Sequence, residues 1–270
     1  MKRALLSIAG YDPSGGAGVL LDIAVFERLG FAGFGALTAV TAQDPRRIAR
    51  VFPLPPRAVE EQVVRLAAAT AFSGIKVGMI GTAANLQAVA RILARNERIP
   101  RVVDPVLRST SGALLLEKSA WRRLLDVLGG KADLITPNLD EAEALTGRPV
   151  RSVAAMMLSA EKIYARTGFP CLVKGGHLRG RAVDILFDGR EFLTFEHARA
   201  AKSVHGTGCY LSSAVLGHLA GGRPLADACR RGIAEVGTAI RAAVPARQRR
   251  WIFRLSRPAG RERPQARRPC

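Results

Sequence analysis

The sequence is poor in aromatic residues and contains no long apolar run. Phe, Trp and Tyr make up only 6% of its 270 residues, so a ligand site depends on backbone and short side chains more than on aromatic stacking. No segment reaches the ~18 consecutive apolar residues of a membrane helix, and we expect no membrane association. The apolar run at 4–10 is short, has no signal-peptide cleavage site and leads into a glycine-rich turn, which favours a buried first strand.

Cysteine is also scarce and scattered. The four cysteines, Cys171, Cys209, Cys229 and Cys270, form no C-x-x-C pair and have no His-rich partner segment. This spacing argues against a zinc site and against a disulfide framework. We therefore expect a reduced, cytoplasmic setting.

Acidic residues are outnumbered: 22 Asp and Glu face 41 Lys and Arg, a net charge of +19. Such an excess suggests nucleic-acid binding when it forms a stripe with interleaved aromatics. Here nine arginines and a single glutamate lie in residues 245–270, and no stripe is visible elsewhere. We expect no nucleic-acid partner. We expect one domain over residues 1–244, followed by an Arg/Pro-rich, disordered tail over 245–270.

Apolar runs bounded by turn residues alternate with segments of helical period. This alternation predicts a mostly parallel sheet, buried on both faces between two layers of helices. The predicted strands are 4–9, 33–39, 74–79, 101–103, 134–136, 171–174 and 182–187. The predicted helices are 18–29, 56–71, 83–95, 119–128, 140–146, 153–167, 207–220 and 225–243. Ligands of such sheets bind at the carboxyl ends of the strands, so the loops that follow strands are the places to look for chemistry.

The first of these loops, residues 10–18, is rich in glycine. Its spacing fits neither the dinucleotide fingerprint nor the P-loop, and a plain strand-to-helix turn explains it equally well. Asp22 lies one helical turn further on and is expected to face back toward the loop.

The loop before the helix at 207–220 predicts an anion hole. Gly206 and Gly208 free consecutive backbone N–H groups to point the same way at a helix N-terminus, where the helix dipole also favours an anion. Phosphoryl transfer needs a cradle of this kind. At the same terminus we expect a lowered pKa for Cys209, which would act as a base or a hydrogen-bond partner of an attacking hydroxyl, unless it is simply a buried, inert residue.

Two polar segments follow later strands. Asn138 or Asp140 fits a helix cap, with Glu141 near the first turn of that helix; a carboxylate and an amide at this spacing fit equally a Mg²⁺ site in which water supplies most ligands. Lys174, at the end of a strand and next to two glycines, is placed to pair with nucleotide phosphates.

Taken together and in this order, the loops resemble the hydroxymethylpyrimidine/phosphomethylpyrimidine kinase family of the ribokinase superfamily. The resemblance covers residues 3 to about 243. The matching segments are A-G-Y-D-P-S-G-G-A-G at 9–18, T-A-V-T-A-Q at 38–43, K-V-G-M-I-G at 76–81, V-V-D-P-V at 102–106, L-I-T-P-N-L-D-E-A-E-A-L-T-G at 134–147, L-V-K-G-G-H at 172–177 and H-G-T-G-C at 205–209.

The resemblance implies a ribokinase-like three-layer αβα sandwich, ATP and Mg²⁺ as cofactors, and a homodimer. It implies phosphorylation of 4-amino-5-hydroxymethyl-2-methylpyrimidine and then of its monophosphate, in thiamin biosynthesis. The implied pyrimidine-binding residues are Gly10, Asp22, Gln43, Met79 and Val106, with Gln43 at the ring edge.

The remaining implied residues lie by the phosphates. Metal binding falls to Asp104 and Glu141, nucleotide binding to Asn138, Lys174 and Thr207, and catalysis to Lys174 and to Gly206, Thr207, Gly208 and Cys209, with Cys209 nearest the substrate hydroxyl. Two alternatives stay open: a pyridoxal or pyridoxine kinase, and a protein that keeps the pyrimidine pocket without catalysis.

Overall fold

The computed structural model describes residues 2–44, 47–109, 111–176, 178, 182–199, 202, 204–246 and 250–253. Within these ranges its strands are β1 (Ala4–Tyr11), β2 (Ala32–Gln43), β3 (Ile48–Pro53), β4 (Phe72–Val77), β5 (Arg101–Val103), β6 (Leu134–Ile135), β7 (Cys171–Val173), β8 (Ala182–Phe187), β9 (Phe192–His197), β10 (Val244–Ala246) and β11 (Arg250–Ile252). The helices are α1 (Gly18–Arg28), α2 (Pro56–Ala69), α3 (Ala83–Ala94), α4 (Lys118–Leu128), α5 (Leu139–Thr146), α6 (Val153–Thr167), α7 (Thr207–Ala220) and α8 (Leu225–Ala242).

Nine of the described strands form one sheet in the order β3-β2-β1-β4-β5-β6-β7-β8-β9. The six neighbouring strands β2, β1, β4, β5, β6 and β7 pair in parallel, whereas β3, β8 and β9 pair antiparallel to their neighbours. The parallel centre confirms the predicted sheet. It also places the carboxyl ends of β1, β4, β5, β6 and β7 along one edge, where the predicted loops begin.

Successive residues of the central strands pack into hydrophobic cores on opposite faces of the sheet, because side chains alternate across a strand. Val102 and Leu134 pack with helices α7 and α8, while Val103 and Ile135 pack on the other face with helices that include α3 and α4. All four side chains are fully buried. The sheet is therefore covered on both faces, which gives the predicted three layers.

Strands β3 and β9, at the two edges of the sheet, were absent from the sequence prediction. The burial of β3 is only partial along its length, and Phe52 is 47% exposed. An edge strand buries one face at most, so its apolar pattern is weaker than that of a central strand.

Part of the predicted tail has a described structure. Strands β10 and β11 form a short antiparallel pair, and the ring of Phe253 lies 4.9 Å from that of Tyr210. Residues 247–249 and 254–270 lie outside the described residues, so a disordered tail over 245–270 stays a prediction.

Among the described residues, no helix has the length and the apolar character that crossing a membrane requires.

Candidate active site

A cleft of about 1390 Å³ opens along the carboxyl edge of the parallel strands. Almost all of the predicted site residues line it, although they come from seven separate segments of the chain. Those that it brings together are Gly10, Gln43, Met79, Asp104, Val106, Asn138, Glu141, Lys174, Gly206, Thr207, Gly208 and Cys209. The exception is Asp22.

One end of the cleft has an apolar floor. Met79 packs with Ala39, Leu115 and Val106, and its backbone carbonyl accepts a 2.6 Å hydrogen bond from the Thr38 hydroxyl. A Cβ atom on residue 10 would lie only 2.6 Å from Met79 Sδ, so any side chain there would displace the Met79 thioether from the floor. A flat, apolar-faced ring fits this floor.

Asp22 lies beneath the cleft and does not line it, which corrects the sequence expectation. Its side chain is fully buried and accepts hydrogen bonds from Lys76 Nζ at 2.8 and 2.9 Å. The hydroxyls of Ser7 and Ser213 donate to the same carboxylate at 2.6 and 2.8 Å. Helix α1 turns Asp22 toward the sheet, where β1, β4 and α7 surround it, so a ligand in the cleft has no access to the carboxylate.

Lys76 is held in its charged form although it is fully buried. Burial by itself lowers the pKa of Lys76, but the charges of Asp22, Cys209 and Asp104 and the hydrogen bond to Asp22 together outweigh burial and raise that pKa above its usual value. The electrostatic influence of Lys76 also reaches Cys209.

The backbone predicted to form an anion hole lies at the start of α7. Gly206 has φ +85°, and a Cβ atom there would overlap the carbonyl oxygen of Gly16. The first turn of a helix has no internal acceptors for its N–H groups, so the amides of residues 207–209 are available to an anion. A Cβ atom on Gly208 would lie 3.1 Å from Lys174 Nζ and 3.5 Å from Asp104 Oδ2. The backbone amides at the start of α7 and the side chains of Lys174 and Asp104 therefore line the same part of the cleft.

The expected lowering of the Cys209 pKa is wrong. Burial raises the pKa of this thiol to about 11, although Lys76 and a hydrogen bond from the Gly18 amide pull it down. Asp22 and Asp104 add to the rise, because a thiolate between carboxylates is disfavoured.

Lys174 lies among carboxylates. Its Nζ is 2.8 Å from Asp104 Oδ1 and 4.0 Å from Glu141 Oε2. The Thr136 hydroxyl also donates to Asp104 Oδ1, at 3.3 Å. Burial opposes the charge of Lys174, but Asp104 and Glu141 outweigh it and raise the lysine's pKa.

Asn138 and Glu141 form a full capping box at the start of α5. The Glu141 amide donates to Asn138 Oδ1 at 2.9 Å, and the Asn138 amide donates to Glu141 Oε2 at 2.8 Å. Burial raises the pKa of Glu141 to about 7; Lys174 lowers it, and Asp104 raises it further. The helix cap accounts for one oxygen of Glu141. The two carboxylates Asp104 and Glu141 share a single cation, Lys174, and a further cation nearby would be favourable for them.

The carboxylates fit Mg²⁺ only with help from water and substrate. Among the described residues, no three His, Cys, Asp or Glu side chains are grouped so that they could hold a metal ion. Mg²⁺ keeps several waters and takes one or two carboxylates plus substrate phosphates. Asp104 Oδ2, which faces Gly208 across the cleft, fits such a site.

Two polar pairs at the cleft were not found from the sequence. His205 Nε2 lies 3.2 Å from Asp12 Oδ2, above the anion hole. His197 Nε2 lies 3.2 Å from Asp184 Oδ2 in the far wall, and the hydrogen bond that His197 donates to Asp184 raises the pKa of His197. His205 and Asp12 are 193 residues apart, and His197 and Asp184 meet only through the pairing of β8 with β9, so no local spacing pattern reveals either pair.

The family of the chain follows from its sequence match to a known family. The model of the phosphomethylpyrimidine kinase family matches residues 12–252. The chain belongs to this family. It is therefore a kinase, as the sequence predicted.

Several proteins of known name resemble this phosphomethylpyrimidine kinase family member. The hydroxymethylpyrimidine/phosphomethylpyrimidine kinase of Aquifex aeolicus is 40% identical over 213 residues, which cover 78% of this chain and 84% of that protein. The structure of an ADP complex of Bacillus subtilis pyridoxal kinase has a TM-score of 0.87 at 29% identity, covering 95% of this chain and 98% of the other. The phosphomethylpyrimidine kinase structure from Clostridium difficile has a TM-score of 0.76 at 32% identity, covering 88% and 100%. These likenesses confirm the ribokinase-like fold.

Proposed function

We propose that the chain transfers the γ-phosphoryl group of ATP to the hydroxymethyl group of 4-amino-5-hydroxymethyl-2-methylpyrimidine. It then phosphorylates the monophosphate to the diphosphate, in thiamin biosynthesis. The observation that carries the proposal is the junction of the apolar floor at Met79 with the anion hole at 206–209 in one cleft. A ring on that floor presents its hydroxymethyl group toward the start of α7.

At the anion hole, the backbone amides of residues 207–209 bind the oxygens of the transferring group. Lys174 adds a positive charge beside them, since a Cβ on Gly208 would lie only 3.1 Å from its Nζ. Phosphoryl transfer passes through a loose transition state, so catalysis consists mainly of alignment and of charge stabilisation.

Cys209 orients the attacking hydroxyl. With its pKa raised to about 11, the thiol is protonated at neutral pH and does not serve as a preformed base. Because bonding to the nucleophile is slight in a loose transition state, the hydroxyl loses its proton late. The thiol's part is then to hold the hydroxyl oxygen in line with the phosphorus.

ATP and Mg²⁺ would bind at the end of the cleft that holds Lys174. Asn138, Lys174 and Thr207 are the proposed contacts of the nucleotide phosphates, and Asp104 and Glu141 are the proposed holders of Mg²⁺. When bound, the ion neutralises charge on the β- and γ-phosphates. Until then, Lys174 neutralises Asp104 across 2.8 Å.

A pyridoxal kinase activity is the second candidate. Pyridoxal is also a flat ring with a hydroxymethyl group, and a pyridoxal kinase structure shares the fold with a TM-score of 0.87. The apolar floor accepts either ring, so discrimination depends on polar contacts to the ring substituents. A pocket without catalysis is the third candidate.

An ATP-consumption assay with Mg²⁺ separates the three candidates. We expect turnover on the hydroxymethylpyrimidine and on its monophosphate, and weaker turnover on pyridoxal. Preference for pyridoxal would establish the second candidate, and ligand binding without ADP release would establish the third.

Two variants test the proposed roles. Cys209→Ala should lower kcat far more than it weakens substrate binding, whereas Gln43→Ala should raise KM about tenfold with a smaller effect on kcat. Full activity of Cys209→Ala would remove Cys209 from the mechanism. The homodimer stays a prediction, which light scattering tests.

A further inference from the structure

The backbone at Lys174 is held by hydrogen bonds on both sides of its Cα atom. Its own amide donates to the carbonyl oxygen of Pro137 at 2.8 Å. The next amide, that of Gly175, donates to Asp184 Oδ1, also at 2.8 Å. The first bond ties Lys174 to the segment after β6, and the second ties it to β8. The point from which the lysine side chain starts is therefore fixed.

The carboxylate of Asp184 is out of place in a buried strand. β8 has the sequence A-V-D-I-L-F, in which Asp184 is the single charged residue, and only 5% of it is exposed. Burying a carboxylate costs free energy unless it is paired and hydrogen-bonded. Here Oδ1 accepts from the Gly175 amide and Oδ2 lies 3.2 Å from His197 Nε2. Strand pairing is a property of the backbone, so the sheet itself gives no reason for a charge at residue 184.

The ladder between β7 and β8 ends just before this contact, with Val173 as the last paired residue of β7. Beyond it, the side chain of Asp184 is the acceptor for the Gly175 amide. A Cβ atom on Gly175 would overlap the carbonyl oxygen of Val183, so the approach to β8 requires glycine. The chain is thus held against β8 for one residue past Lys174, although the regular pairing stops before it.

The place of the Lys174 ammonium group decides what it can do. Its Nζ lies 2.8 Å from Asp104 Oδ1, and a Cβ atom on Gly208 would lie 3.1 Å from it. A misplacement of ~1 Å near the transferring atoms can cost about 10²-fold in rate. A lysine side chain is long and has many rotamers, so a shift of its backbone changes which of them reach the start of α7.

We propose that Asp184 is a positioning residue for phosphoryl transfer. Its carboxylate fixes the peptide between Lys174 and Gly175 and thereby holds the lysine charge beside the transferring group. Asp184 acts through Lys174 and not as a ligand of the nucleotide, because both of its oxygens already have partners within the chain. The inference rests on the proposed function, since it takes Lys174 as the cation at the transferring group.

Two substitutions of Asp184 separate the acceptor from the charge, with kcat measured by ATP consumption in the presence of Mg²⁺ and the hydroxymethylpyrimidine. Asp184→Ala removes the acceptor of the Gly175 amide, and we expect kcat to fall about tenfold. Asp184→Asn keeps an amide oxygen for Gly175 and offers its NH₂ group to the His197 ring, which accepts in its other tautomer. It should retain kcat within about threefold. Should Asp184→Ala fail to fold, Asp184→Leu replaces it, because leucine fills the space without an acceptor.

A double-mutant cycle with Lys174→Met distinguishes positioning from a general loss of structure. Lys174→Met alone should lower kcat. If Asp184 acts through the lysine, adding Asp184→Ala to Lys174→Met should cost less than about twofold more. A loss of packing would instead lower kcat by the same factor in both backgrounds.

Asp133→Ala is the matched control. Asp133 Oδ2 also accepts from a strand amide, that of Arg101 at 2.8 Å, and pairs with a cationic side chain, Arg101 Nε at 3.1 Å. This contact lies at the amino ends of β5 and β6, opposite the cleft. The control should lower the melting temperature and leave kcat unchanged.

Three results would overturn the proposal: the same loss from Asp184→Ala in both backgrounds, a loss in Asp184→Asn as large as in Asp184→Ala, or an equal loss in Asp133→Ala. Failure of the proposed function is recognised separately, from the wild type and Lys174→Met. If the wild type prefers pyridoxal, the same variants are measured with pyridoxal. If it phosphorylates neither compound, or if Lys174→Met keeps full activity, the proposed role of Lys174 has failed and the inference falls with it.

Discussion

Lys174 Nζ lies 2.8 Å from Asp104 Oδ1, and Gly208, in the first turn of α7, faces both side chains. A phosphate on the amides of that turn would therefore meet a cation and, across from it, a carboxylate able to hold a metal. Close approach is possible only because residue 208 has no side chain.

Gly208→Ala tests this arrangement. The added Cβ would lie 3.1 Å from Lys174 Nζ and 3.5 Å from Asp104 Oδ2, so it takes space that the transferring group needs. We expect turnover to fall by about tenfold or more, since a displacement of ~1 Å can cost up to about 10²-fold, with the melting temperature nearly unchanged. Gly129→Ala is the control, because its nearest contacts are at 3.4 to 3.6 Å; equal activity of the two variants would contradict the assignment.

The reactivity of Cys209 should depend steeply on pH. With the thiol's pKa raised to about 11, the thiolate fraction and hence the alkylation rate should rise about tenfold per pH unit through neutral and mildly alkaline pH. The measurement is iodoacetamide labelling of Cys209 in a Cys270→Ser background, followed by mass spectrometry. Cys171 and Cys229 are buried, and burial raises the pKa of both. A rate that levels off below pH 8 would restore the lowered pKa expected from the helix terminus.

Lys76→Met should strongly destabilise the fold. It leaves Asp22 as an uncompensated buried charge, which costs about 3–5 kcal/mol. The double variant Asp22→Asn with Lys76→Met removes both charges and should recover much of the loss in urea unfolding. Arg57→Ala is the control, because the Arg57–Glu61 pair is 90% and 62% exposed and such pairs contribute ~0–1 kcal/mol. Equal effects of Lys76→Met and Arg57→Ala would contradict the account of this pair.

Two truncations locate the end of the folded unit. Removal of residues 254–270 should leave thermal unfolding unchanged. Removal of 244–270 also deletes β10, β11 and the contact of Phe253 with Tyr210, and should cost about 1–3 kcal/mol. Phe253→Ala in the full chain isolates the aromatic contact. Identical melting of all these variants would show that the contact contributes nothing.

The fold could be predicted from the sequence where burial is complete. Central strands such as Cys171–Val173 are apolar on both faces and bounded by turn residues, so their runs are easy to recognise. The edge strands Ile48–Pro53 and Phe192–His197 escaped because their burial is partial. Each pairs with the preceding strand of the chain, but its own residues carry no clear apolar pattern.

In the candidate site, the sequence could predict the loops and not the contacts between them. The glycine pattern around Gly206 indicated the anion hole because backbone geometry is local. The burial of Asp22 depends on Lys76, 54 residues away, and the raised pKa of Cys209 depends on surroundings that only the folded chain creates. The pairing of Asp12 with His205, 193 residues away, likewise exists only in the folded chain.

The central claim is most directly tested by ³¹P NMR of the purified protein with ATP, Mg²⁺ and 4-amino-5-hydroxymethyl-2-methylpyrimidine. The account predicts that a monophosphate ester appears first and is then converted to the diphosphate, with two ADP formed for each pyrimidine consumed. An unchanged ATP spectrum with the pyrimidine, together with phosphorylation of pyridoxal under the same conditions, would contradict it.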